Sequence, residues 1–109
     1  HKLDNLVVVV DFNSLQAMGK VKEILNVEPL KEKWTAFSWE VQEIDGHNFQ
    51  EIENALITSS AGRGKPKVII AKTIKGKGVS FMEGDNLWHY KAPSQEEYQK
   101  ALKELESNV

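Results

Sequence analysis

Residues 7–20, "VVVVDFNSLQAMGK", carry a wholly apolar run straight into an acid, an aromatic and an amide before meeting a glycine. Continuity rather than alternation of apolar residues is what a strand covered on both faces shows. The run from Leu6 to Val10 is therefore expected to be a buried strand, central in its sheet and ended by Asp11. Farther along, "PKVIIAK", residues 66–72, repeats the pattern, with Pro66 at the strand entrance, where a missing donor costs little.

Between the two lie helical and weaker strand signals. Pro29 to Ser38 places Leu30, Trp34 and Phe37 at helical spacing behind a proline suited to a first helical position. Trp39 to Ile44 reads as a weaker strand, because Glu40, Gln42 and Glu43 permit only partial burial, and an edge position suits it. Asp45-Gly46 ends it with turn chemistry. Asn48 and Glu51 then cap a helix with Phe49, Ile52 and Leu56 as its apolar stripe, expected to end near Gly62. Ser94 and Glu97 form a second capping box, before a final helix with Tyr98, Ala101, Leu102 and Leu105 on one side. Alternating strands and helices predict an α/β fold, a three-layer parallel sheet with flanking helices. Thr73 to Pro93 has no clear periodicity, and connections that long are usually functional or disordered.

The chain has 109 residues, the size of a single domain, spanning 1–109. It is 40% hydrophobic and 28% charged with a net charge of −2, so no nucleic acid or anionic membrane partner is expected. With no cysteine, disulfides and thiolate metal sites are excluded, which fits a reducing compartment, and a cytoplasmic location is expected. No apolar run is long enough to span a bilayer. The chain opens on His1 and enters a strand almost at once, which suggests a piece of something longer.

In open parallel sheets, ligands collect beyond the carboxyl ends of strands, and Asp11, Asn13 and Leu15 fall there. Side-chain and carbonyl oxygens suit a hard cation such as magnesium, which shares its sphere with phosphate and water. Asn and Asp also end strands simply because their side chains satisfy turn backbone. His89 stands between Trp88 and Tyr90, where it can be packed and hydrogen-bonded, or can donate to a phosphate or sugar hydroxyl. Arg63, Lys65, Lys67, Lys72, Lys75 and Lys77 have no acid among them, yet no aromatic interleaves with them. They read as a solvated rim. "GRGKPK" lacks the spacing and ending of a P-loop, while "KGKG", residues 75–78, suits a mobile loop of close backbone approach.

Four stretches resemble the transketolase family: "DNLVVVVDFNSLQAMG", "FSWEVQEIDGHN", "GKPKVIIAKTIKGKGVSFME" and "LWHYKAP". The first is similar to the second half of that family's thiamin-diphosphate signature, and together they cover nearly the whole chain. The likeness is nearest to the amino-terminal subunit of transketolases split into two chains. It implies the C-terminal portion of a thiamin-diphosphate-binding domain, whose Gly-Asp-Gly half would lie upstream of His1. It further implies a magnesium- and thiamin-diphosphate-dependent transferase moving a two-carbon ketol unit from a ketose to an aldose, with sugar phosphates as substrates.

Carried over residue by residue, Asn13 would ligate magnesium by its side-chain oxygen and Leu15 by its main-chain carbonyl. Gly19 would close the metal loop, and His89 would lie beside the cofactor diphosphate and the donor sugar, as cofactor-binding and catalytic residue. The "KGKG" loop would lie near the cofactor, and His47 would belong to a structural turn. The family usually has glycine where Tyr90 stands, a departure that bears on the aim of His89. No residue matches the glutamate that activates the aminopyrimidine. That group would come from a pyrimidine-binding domain or subunit, in a homodimer or heterotetramer. The alternatives are a catalytically silent α/β module serving only to assemble with a partner chain, or a fragment of a deoxyxylulose-phosphate synthase or dehydrogenase first component.

Overall fold

A computed structural model describes residues 1–58 and 64–107. Chain contacts divide it into two compact units, His1–Phe12 with Asn26–Thr73, and Asn13–Leu25 with Ile74–Val109.

The first unit holds three parallel strands, β1 (Val7–Phe12), β4 (Glu40–Asp45) and β5 (Lys67–Lys72), in the order β1-β5-β4. Val7 and Glu40 both face Lys67 across the ladder, so the three strands start in register. Ile69 and Ala71 on one face of β5 join Ile44 and Ala55 in the core, with Val7 and Ile52 packed against it, while Val68 and Ile70 are buried on the other face. Helices α2 (Leu30–Ala36) and α3 (Phe49–Ile57) both pack against β4. The fold is the expected α/β arrangement, a parallel sheet flanked by helices.

The middle of the sheet is not where the sequence places it. Among the described residues β1 pairs only with β5, and Val9 is 58% exposed, whereas every residue of β5 from Lys67 to Ala71 is buried. Two apolar runs look alike as strings, and only the pairing decides which one is hydrogen-bonded along both edges. β4 lies at an edge as its polar residues suggest. β1 also runs two residues past the expected end, taking Asp11 into the ladder opposite Ala71, where Asp11 Oδ1 accepts a hydrogen bond from Thr73 Oγ1.

Helix faces differ in detail. Pro29 is the N-cap residue of α2, one position before the helix begins. The helix ends at Ala36, and Ser38 turns the chain with a φ of +66°, so Phe37 swings off the packing face and is 78% exposed. Trp34 instead meets the ring of Trp39 edge-on at 4.7 Å. In α3 the contact face centres on Ile52 and Ala55, leaving Phe49 at 88% exposure. Asn48 Oδ1 accepts from the backbone N–H of Gln50 and Glu51 at 3.0 and 3.2 Å. Glu51 completes the cap by reaching back to Asp45 N at 2.8 Å rather than to Asn48 N. His47 sits in this turn, its N–H donating to Asp45 Oδ1 at 2.9 Å. α3 ends at Ile57 with Thr58 as its C-cap, short of the expected end near Gly62; Gly62 itself, and Arg63 of the basic run, lie outside the described residues.

Lys67 corrects the reading of that run as a solvated rim. It is 3% exposed, and its Nζ donates to the Ala55 carbonyl at 2.8 Å and lies 3.4 Å from Thr58 Oγ1. Carbonyls in the last turn of a helix lack intrahelical partners, and an inward-facing residue at the start of β5 meets one of them. Lys72 is exposed and pairs with Glu43 at 3.3 Å.

Candidate functional site

The second unit holds the expected site residues. The Asn13 side chain folds back so that Oδ1 accepts a hydrogen bond from Leu15 N at 2.9 Å, an Asx turn. Ser14 takes a left-handed φ of +62°, and its carbonyl accepts from Val21 N at 2.9 Å. These bends set up a short antiparallel hairpin, β2 (Leu15–Gln16) with β3 (Gly19–Lys20), in which Leu15 faces Lys20 and Gln16 faces Gly19. Ala17 and Met18 form its tip, Gly19 has a φ of +149°, and the one-turn helix α1 (Val21–Ile24) follows with Val21 buried.

His89 belongs to a 3-10 turn, Asn86–His89, capped by Asp85, whose Oδ1 accepts from Leu87 N at 2.9 Å. Trp88 anchors the turn: its Nε1 donates to the Phe81 carbonyl at 3.0 Å and its ring meets Phe81 edge-on at 5.4 Å. Lys91 Nζ lies over the same indole, 4.5 Å from the ring centre. His89 itself is exposed, and the Tyr90 ring stands at 88° to its imidazole with centroids 4.7 Å apart.

The turn and the hairpin are joined at one atom. The Ala17 carbonyl accepts from Asn86 Nδ2 at 2.7 Å and from Tyr90 Oη at 3.0 Å. Asn13, Leu15 and Gly19 are thus brought together by local geometry, and His89 is tied to their hairpin through its neighbours. Sequence reasoning missed Asn86 entirely, because nothing in an Asp-Asn pair signals a partner 69 positions away. Tyr90 was visible only as a residue out of pattern.

The long connection from Thr73 to the final helix α4 (Gln95–Ser107) is a chain of bonded turns rather than an unstructured loop. Gly84 N donates to the Lys75 carbonyl at 2.9 Å, and Gly78 N to Glu83 Oε1 at 3.0 Å. Ser80 fastens it to α4, its N and Oγ donating to Glu104 at 2.5 and 2.9 Å. These bonds from Ser80 hold the Glu104 carboxyl below its ordinary range. At the start of α4 the capping box forms as expected, Ser94 N donating to Glu97 Oε2 at 2.8 Å and Glu97 N to Ser94 Oγ at 3.2 Å.

The donor set suits a hard cation in part. An amide oxygen has two lone pairs, and Asn13 Oδ1 spends one on Leu15 N, leaving further acceptor capacity. Among the described residues no group of three or more His, Cys, Asp or Glu gathers to enclose a metal. A cation held here would draw the rest of its sphere from phosphate oxygens and water, which is how magnesium is commonly bound.

The family model for "Transketolase, thiamine diphosphate binding domain" matches residues 1–108. The chain belongs to the transketolase family. An apulose-4-phosphate transketolase subunit of Phocaeicola vulgatus is 38% identical over 109 residues, covering 100% of this chain and 39% of the relative. The 6-deoxy-6-sulfo-D-fructose transketolase subunit SqwG of a Clostridium species is 45% identical over 105 residues, 96% of this chain and 38% of the relative. The chain thus spans about two fifths of the length of these curated relatives. The crystal structure of transketolase from Campylobacter jejuni superposes with a TM-score of 0.85 at 36% identity, covering 97% of this chain and 16% of that one. No helix among the described residues is long and apolar enough to cross a membrane.

Proposed function

We propose that this chain is the C-terminal portion of the thiamin-diphosphate-binding domain of a transketolase. The enzyme would transfer a two-carbon ketol unit between sugar phosphates with magnesium as the second cofactor. The observation that carries the reading is the Asn13–Lys20 hairpin, which follows β1 directly in the chain and opens with an Asn13 amide oxygen turned back onto Leu15 N, two residues on. That is where open parallel sheets bind ligands. When bound, thiamin diphosphate supplies the carbanion chemistry that a protein lacks.

The chain's own residues hold and orient. Asn13 and Leu15 would offer oxygens to magnesium, and Gly19 would close the loop around it. His89, exposed and braced by Tyr90, would donate to a phosphate oxygen or exchange a proton with a sugar hydroxyl at its imidazole nitrogens. The pyrimidine half of the site would come from a partner domain or a second chain, a reading supported by relatives that are named as transketolase subunits. The assembly would then be a homodimer or heterotetramer, and a sequence without cysteine is in keeping with a cytoplasmic home.

The test is calorimetry of thiamin diphosphate binding to the full-length protein with its partner, at graded magnesium concentrations. Loss of an outer-sphere partner costs about 10–100-fold in metal affinity, so Asn13→Ala, which removes a ligand, should cost at least that. Unchanged affinity removes Asn13 from the metal site. His89→Ala should leave binding of magnesium intact and slow turnover by about 100-fold; unaltered kinetics return it to a packing role. A wild-type protein whose binding ignores magnesium refutes the whole reading.

A further inference from the structure

We propose that Tyr90, with Asn86, is a positioning clamp that sets the hairpin bearing Asn13 and Leu15 against the turn bearing His89. This rests on the function proposed above. The hairpin is two residue pairs long and marginal by itself in water; α1 packs on both its strands, and its tip is held by bonds from farther along the chain. Those bonds converge on the Ala17 carbonyl, whose two lone pairs are both taken, by Asn86 Nδ2 at 2.7 Å and Tyr90 Oη at 3.0 Å. The donors sit at the first residue of the 3-10 turn and immediately after its last, with His89 between them. Ala17 is two residues from Leu15 and two from Gly19, so a shift at the tip tilts the carbonyl that would meet the metal.

Tyr90 is 70% exposed, so its ring is not there to fill a core. What it does instead is bond the hairpin with its hydroxyl and stand edge-on to His89 with its ring. One side chain therefore fixes both the approach of the hairpin and the orientation of the imidazole.

Tyr90→Phe removes the hydroxyl and keeps the ring on His89. In the full-length protein with its partner, thiamin diphosphate binding is followed by calorimetry against magnesium concentration, alongside the thermal midpoint without ligands. The clamp predicts a half-saturating magnesium concentration raised about 3–10-fold, the worth of one hydrogen bond, with the thermal midpoint unchanged and binding restored by excess magnesium. Asn86→Ala should shift it in the same direction, and the double variant further than either. An unshifted magnesium requirement in Tyr90→Phe overturns the clamp, as does a shift matched by a fall in the thermal midpoint, which marks a merely structural bond. If the wild type shows no magnesium-dependent binding, the proposed function fails first, and that result differs from a wild type that binds beside a variant that binds equally well.

Discussion

Gly76 tests the bonded turns that lead to His89. Its φ is +73°, and a Cβ built there would fall 2.5 Å from the Met82 carbonyl oxygen and 2.7 Å from its carbon. Gly84 is a control within the same stretch, with a φ of +68° and nothing within 4 Å of the added carbon. Alanine in the left-handed region costs about 1–2 kcal/mol. Restricting the unfolded chain returns about 0.4–1 kcal/mol. Gly84→Ala should therefore lose about 1 kcal/mol. At Gly76 the obstacle is backbone, which no rotamer change relieves, and overpacking adds about 1–3 kcal/mol, for a total of about 2–4 kcal/mol. The Met82 carbonyl also accepts from Asp85 N at 3.2 Å, and Asp85 caps the 3-10 turn, so the strain is passed toward His89. Urea denaturation of the full-length protein and its two variants measures both losses. Equal losses at the two positions would refute the close approach at Gly76.

Two further outcomes follow from the helix caps. The Glu97 carboxyl is lowered from 4.5 to about 2, first by the hydrogen bond from Lys91 and next by the Ser94 N–H. Because the folded value lies below the unfolded one, this stabilisation is complete above pH 4.5 and is lost as pH falls toward about 2. Far-ultraviolet circular dichroism should show α4 fraying over that window, and Glu97→Gln should remove this component of the pH dependence; identical acid titrations would contradict it. Asn48→Ala should cost about 1 kcal/mol in urea denaturation through loss of the α3 cap, and no measurable change would mean that Glu51 alone holds the turn.

Local rules made much of this molecule legible. Apolar continuity marked β1 and β5, the Ser94–Glu97 spacing marked the start of α4, and the polar residues of β4 marked an edge strand, because each depends on neighbours a few positions apart. The motif around Asn13 was also readable, since an Asx turn is made by one side chain and the amide two residues on. What the string could not state was any choice among equivalents or any bond across a long separation. It did not say which apolar strand takes the middle, that Lys67 turns inward to a helix end, or that Phe37 and Phe49 leave their helix faces. Above all, it did not say why a tyrosine stands beside His89. That answer needs Ala17 and Tyr90, 73 positions apart, to meet, and only the folded chain brings a donor from one turn to a carbonyl at the tip of another.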